Sequence, residues 1–183
     1  MIDRASAGLR PRFAAIARSP RKYVETIRSV LIGLGESLDD YANDEDIEGQ
    51  LREAASAYVP HVRRGKMTIY RAMTVDKGWQ PGHVGVGVFW TYSARRAYAY
   101  WSDGDRDRAI VLESIVAEAD IDIWRTIATE FTALTENEVT LRSTSTVKLI
   151  AVRRDGQPVP WAAPLTGKTF VAKPSSVRAG HPA

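Results

Sequence analysis

With 183 residues, 44% of them hydrophobic and 26% charged, the chain has room for one domain with a substantial core and not for two ordinary ones. The absence of cysteine excludes disulfides, thiolate zinc sites and cysteine nucleophiles, and the three scattered histidines (His61, His83, His181) lack the spacing of a metal site. A net charge of +3 and a pI near 9.3 permit nucleic acid or acidic partners without requiring them, and no apolar run has the length of a membrane span or the form of a secretory signal.

Residues 1–65 read as a helical portion. Ser19-Pro20 supplies a cap and an N1 proline, Tyr23, Ile27, Val30, Leu31 and Leu34 follow at helical spacing, and Gly33 and Gly35 fit the end. A second helix opens in the acidic run Asp44-Glu45-Asp46, carries Ile47, Leu51, Ala54 and Tyr58 on one stripe, and stops before Pro60. From residue 66 the period changes to two. Met67, Ile69, Arg71 and Met73 alternate with Thr68, Tyr70 and Ala72, which predicts a strand. A glycine-rich loop over 81–87 feeds a short strand at 88–92, and Ser93 caps a helix over 94–101. Asp103-Gly104-Asp105 turns the chain, and further strands are expected at 109–116, 138–141 and 146–152. Asp120-Ile121-Asp122-Ile123-Trp124 begins a short helix or a structured loop, with a loop at 128–135 before the next strand. The composition thus divides the chain into a helical portion (1–65), a core (66–155) and a Pro-, Ala- and Ser-rich basic tail (156–183). That tail either belongs to the same domain or is extended and disordered.

Three places carry chemistry. Arg71 stands on an otherwise apolar stripe, where a guanidinium is costly unless it is paired or meets an anion. An internal carboxylate or a strand edge accounts for it plainly; a rigid fork toward phosphate or ribose accounts for it functionally. Thr91 and Ser93 share a strand face with Phe89. Ser93 is sufficiently explained as a helix cap, whereas a hydroxyl at Thr91 could orient a carboxylate on a neighbouring strand. In Thr135-Glu136-Asn137-Glu138-Val139-Thr140-Leu141, a strand puts Glu136 and Glu138 on one face and turns Val139 and Leu141 into a core. Such a pair is ordinarily just solvated, but it is also what chemistry at a sugar carbon asks for. Two decoys fail on spacing: Gly167-Lys168-Thr169 lacks the leading glycine of a P-loop (Ala162 stands there), and Gly82, Gly85 and Gly87 do not form a dinucleotide-binding run.

Taken in order, Tyr70-Arg71, Thr91-Tyr92-Ser93 and Glu136-Asn137-Glu138 resemble the three motifs of the ADP-ribosyltransferase family, in its Arg–Ser–Glu branch. The resemblance covers roughly residues 67–152, and Gly87-Val88-Phe89-Trp90-Thr91-Tyr92-Ser93 with its alanine- and aromatic-rich sequel is similar to bacterial and phage-borne members. It implies an α+β domain with a split, mostly antiparallel sheet, and NAD in the cleft between its halves. The implied activity is mono-ADP-ribosyl transfer from NAD to a macromolecular acceptor, a protein arginine, by a toxin-like effector in the cytoplasm of its own or a host cell. Arg71 would hold a phosphate or ribose of NAD beside Tyr70, and the backbone at Ala72 would clamp the nicotinamide amide. Glu138 would be the catalytic glutamate, Thr91 would orient it, and Ser93 would complete the NAD-binding run. Glu136 would position the acceptor, with Phe131 a substrate-contacting aromatic. The chain departs from the family pattern in having Thr91 for the usual serine, a bulky Tyr92, and Ala72 for a frequent glycine. Two other functions fit the same residues: a degenerate transferase fold that binds protein or nucleic acid, and an NAD glycohydrolase with water as acceptor.

Overall fold

The computed structural model describes residues 8–41, 46–82, 85–99, 107–132 and 137–173, and helices precede strands as the change of period predicts. Helix α1 (Leu9–Arg18) turns Leu9, Phe13 and Ile16 inward at helical spacing. Helix α2 (Val24–Leu34) is entered through a 3₁₀ turn, Pro20–Tyr23, and Ser19 makes no side-chain cap bond. Its other end is closed by Gly35, at φ 82°, whose amide returns to the carbonyls of the last turn. Helix α3 (Ile47–Tyr58) buries the predicted stripe, and a 3₁₀ turn, Val59–His61, absorbs Pro60. Asp44 and Glu45, expected at its start, lie outside the described residues. Phe13 stacks on Tyr58 with ring centres 4.8 Å apart, fixing α1 to α3.

Strands β1 (Val62–Arg63) and β2 (Lys66–Thr74) form a hairpin whose two-residue turn, Arg64-Gly65, has both φ values positive, 52° and 73°. Glycine is at ease there; arginine gives up about 1 kcal/mol to the steric conflict at its Cβ. Strand β3 (Phe89–Thr91), helix α4 (Ala94–Ala99), strand β4 (Ala109–Ala117), helix α5 (Ile123–Thr132) and strands β5 (Glu138–Thr140), β6 (Thr146–Arg154), β7 (Gln157–Pro158) and β8 (Thr169–Val171) complete the chain. The sheet runs β5-β3-β2-β4-β6-β7, with β1 on β2 and β8 on β6, and every pairing is antiparallel. Helical side chains (Phe13, Leu31, Leu51) and strand side chains (Ile69, Leu112, Val139, Leu149) belong to one apolar cluster, so the fold is α+β around a shared core. Among the described residues no helix is long and apolar enough to cross a membrane.

One expectation is corrected, and of the two alternatives for the tail one is found. The loop expected at 128–135 is, as far as Thr132, the second half of α5, and Phe131 is 1% exposed in the core. It therefore touches no substrate. The helix forms because Ile123, Ile127 and Phe131 recur every fourth residue and the Asp122 carboxylate accepts the Arg125 amide at 3.1 Å as a cap. The segment beyond Asp155 belongs to the domain as far as Lys173, with Val159, Ala162, Leu165 and Ala172 buried. These inward-facing residues are anchored where the Gly167 amide donates to the Leu149 carbonyl (2.7 Å) and the Ala172 amide to that of Ser145 (2.8 Å). His83, Trp101, Asp103-Gly104-Asp105 and residues 174–183 lie outside the described residues.

Candidate active site

Register decides which side chains meet. Thr91 pairs with Tyr70 on one side and Glu138 on the other, and Tyr70 pairs in turn with Glu113. Directly opposed residues share a face, so Glu138, Thr91, Tyr70 and Glu113 form a row across four strands. Their chain neighbours Trp90 and Val139 point the other way and are buried, which holds the row outward. Three motif strands far apart in sequence thus lie side by side, with Thr91 and Glu138 directly opposite on one face.

The supports of Glu138 come from the helices. Strand β5 is a three-residue edge, and an open edge so short would not hold a carboxylate in place. Thr126 on α5 covers it: the Thr140 amide donates to Thr126 Oγ1 at 3.0 Å, and that hydroxyl donates to the Thr140 carbonyl at 3.4 Å. The buried Tyr58 hydroxyl lies 2.6 Å from the Glu138 carbonyl, 3.3 Å from that of Thr126 and 3.5 Å from Glu130 Oε2. A phenol has one proton, so the shortest contact is the bond it donates. The Glu138 side chain itself accepts from Thr140 Oγ1 at 3.2 Å.

Thr91 and Ser93 are fixed locally. The Ser93 amide donates to Thr91 Oγ1 (3.1 Å), and Ser93 Oγ accepts the Arg96 amide (3.2 Å), so Ser93 caps α4 as expected. With its oxygen accepting from the backbone, the Thr91 hydroxyl can turn its proton to a carboxylate. Tyr92, the bulky middle residue, locks the start of β5: its amide donates to the Asn137 carbonyl (3.1 Å) and its phenol to Asn137 Oδ1 (2.6 Å). Burial and the Glu130 carboxylate push that phenol up to about 12. Burial, with Glu130 close by, raises Tyr58 well above the usual phenol range.

Asn137 has φ 56°, a left-handed conformation that asparagine tolerates, and β5 begins only after it. The strand expected at 138–141 is found as Glu138–Thr140, with Leu141 bridged to Ile121. The alternation that would set Glu136 beside Glu138 does not run back through Asn137, and Glu136 lies outside the described residues.

Arg71 lies on the apolar stripe with Met67 and Ile69, on the face opposite the Glu138–Thr91–Tyr70 row. Strand β2 pairs with β4 over nine residues but with β3 at Tyr70–Thr91 alone. Where that ladder stops, the Arg71 guanidinium bridges the gap by donating to the Phe89 carbonyl. It also lies flat against Gly87, where a Cβ would come within 2.6 Å of the guanidinium carbon. Gly87, at φ 79°, has the conformation and the lack of side chain this contact needs. Ala72 continues β2 opposite Val111, partly exposed. Tyr70 is half-buried near Glu113, which ion-pairs with Arg153 at 3.5 Å; burial, then Glu113, raises the Tyr70 phenol.

Near the row, Phe89 is exposed and carries Arg125 over its ring at 5.7 Å. Arg125 and Arg142 help line a cleft of about 270 Å³ at the end of β5. Among the described residues no group of three His, Asp or Glu side chains could hold a metal ion. Sequence reasoning missed Tyr58, Thr126, Glu130 and Asn137. The first and third leave a faint signal, a tyrosine ending an apolar stripe and a glutamate beside Phe131; the other two leave none. Chemically, the row offers a carboxylate that can accept a hydrogen bond from a sugar hydroxyl and stabilise positive charge on the adjoining carbon. Comparison with protein-family models, curated proteins and solved structures finds no match.

Proposed function

We propose that the chain is a mono-ADP-ribosyltransferase that moves ADP-ribose from NAD to a macromolecular acceptor. The observation that carries this reading is the in-register row Tyr70–Thr91–Glu138, which joins the three motif strands and puts a threonine and a glutamate opposite each other on one face. NAD supplies a cationic leaving group, so loss of nicotinamide leaves an oxocarbenium-like ribose carbon. Glu138 accepts a hydrogen bond from a ribose hydroxyl and stabilises that carbon, a contribution largest in the transition state. Thr91 positions Glu138. The resemblance gives Arg71 a phosphate or ribose oxygen of NAD to hold and the Ala72 backbone the nicotinamide amide; with Arg71 on the face opposite the row, the ligand would have to reach both across the β2–β3 junction. An arginine side chain as acceptor rests on Glu136 and on the family resemblance.

The test is nicotinamide release from NAD by the purified chain beside Glu138→Gln, with NAD binding followed by calorimetry. The expected result is release by the wild type, a fall of at least about a hundredfold in the variant, and NAD binding kept by both. Equal release by the two proteins, or no NAD binding by either, overturns the reading. Label from NAD recovered on protein rather than as free ADP-ribose separates transfer from hydrolysis.

A further inference from the structure

The β1–β2 hairpin carries Arg63, Arg64 and Lys66 within four residues, all exposed. Among the described residues none of the three has an ion-pair partner. Arg64 sits at a left-handed turn position where asparagine or glycine is the comfortable choice. The hairpin forms one wall of a groove of about 370 Å³, and His61, Tyr92 and Tyr70 contribute to the rest of its lining. His61 is exposed and stacks on Tyr92 with ring centres 4.1 Å apart and planes 26° from parallel. Partial burial and the neighbouring Arg63 lower the imidazole's affinity for a proton, which favours the uncharged flat ring. Cations beside a stack that a further flat ring can extend match a chain of alternating phosphates and bases; cations alone would suit any acidic partner.

We propose that this groove binds single-stranded nucleic acid, its phosphates on Arg63, Arg64 and Lys66 and a base continuing the His61–Tyr92 stack. The groove shares Tyr70 with the candidate active site, so a bound strand lies next to the Thr91–Glu138 row. Binding here does not depend on NAD chemistry and is read without it. The test is fluorescence anisotropy of a short labelled oligothymidylate, titrated at two salt concentrations. Duplex of the same length, a polyglutamate peptide and ADP serve as competitors. Arg64→Asn keeps a turn-favouring residue and a folded hairpin, checked by thermal melting, while removing one cation.

The expected result is salt-sensitive binding that weakens several-fold in Arg64→Asn and Lys66→Ala, each lowering the salt slope by about one. His61→Ala is expected to weaken the single strand about tenfold with an unchanged slope. Several results overturn the inference: affinity unchanged in all three variants, or polyglutamate or duplex competing as well as the strand. ADP alone binding as tightly would likewise assign the groove to a single nucleotide instead.

Discussion

Glu138 and Thr91 stand opposite each other in the antiparallel register of β5 and β3, a pairing that a one-residue slip of either strand would undo. The threonine retains the hydroxyl the site needs, so Thr91→Ser is expected to keep nicotinamide release and Thr91→Ala to lose about tenfold in kcat with KM little changed. Gly87 is the other residue whose role emerged from space. A methyl group there meets the Arg71 guanidinium and also strains a backbone at φ 79°. Gly87→Ala is therefore expected to destabilise the fold by about 2 kcal/mol, measured by urea unfolding. Tyr92 links stability to pH. Its phenol, up at about 12 when folded, loses its proton near 10 when unfolded, so the unfolded chain releases protons first as pH rises. The stabilisation is whole below pH 10 and is lost between 10 and about 12. The wild type is expected to melt lower at pH 11 than at pH 9 (about one unit either side of the free phenol value), and Tyr92→Phe by a smaller margin.

At the scale of elements, amphipathic spacing predicted α2, α3 and β2 nearly to their ends, because a buried face leaves a period in the sequence. It fell short at α5, where a short helix or a structured loop is expected from Asp120 and a loop over 128–135, whereas the helix runs on to Thr132. Sequence also gave no hint that the edge of β5 would be closed by side chains from two helices, since each hydroxyl involved looks like an ordinary surface or core residue. Tyr58→Phe leaves the Glu138 carbonyl without its donor in a buried place. A loss of about 1–2 kcal/mol is expected in denaturant unfolding. Because that carbonyl belongs to the residue proposed as catalytic, the same variant is expected to slow nicotinamide release while NAD affinity holds.

For the whole molecule, the division at residues 65 and 155 described composition rather than folding units. Phe13 and Tyr58 pack with strand residues in one cluster, and β8 returns from the expected tail to pair with β6. Gly85 shows how close that return is: a Cβ there would lie 2.0 Å from the Val171 carbonyl oxygen, which accepts the Val86 amide at 3.1 Å. A chain ending at Asp155 loses Val159, Ala162, Leu165 and Ala172 from its core. Each contributes roughly 1–2 kcal/mol of burial, comparable in sum with the net stability of a small domain. The truncated chain is expected to show no cooperative melt by circular dichroism. The tail left both alternatives open because a few apolar residues among prolines and alanines have no period to reveal them.

The unequal ladders on the two sides of β2 also govern how the protein breathes. Nine residue pairs bind β2 to β4 and a single one binds it to β3, so thermal opening concentrates at that thin seam. Strands β3 and β5, with Thr91 and Glu138, are expected to part from β2 together, as far as the Tyr58 and Thr126 bonds to β5 allow, while Tyr70 stays with the thicker half of the sheet. Amide hydrogens of β3 are expected to exchange with deuterium well before those at the centre of β4, and a ligand spanning the seam to slow the faster set most. Affinity for such a ligand would then include the work of stilling that pair of strands.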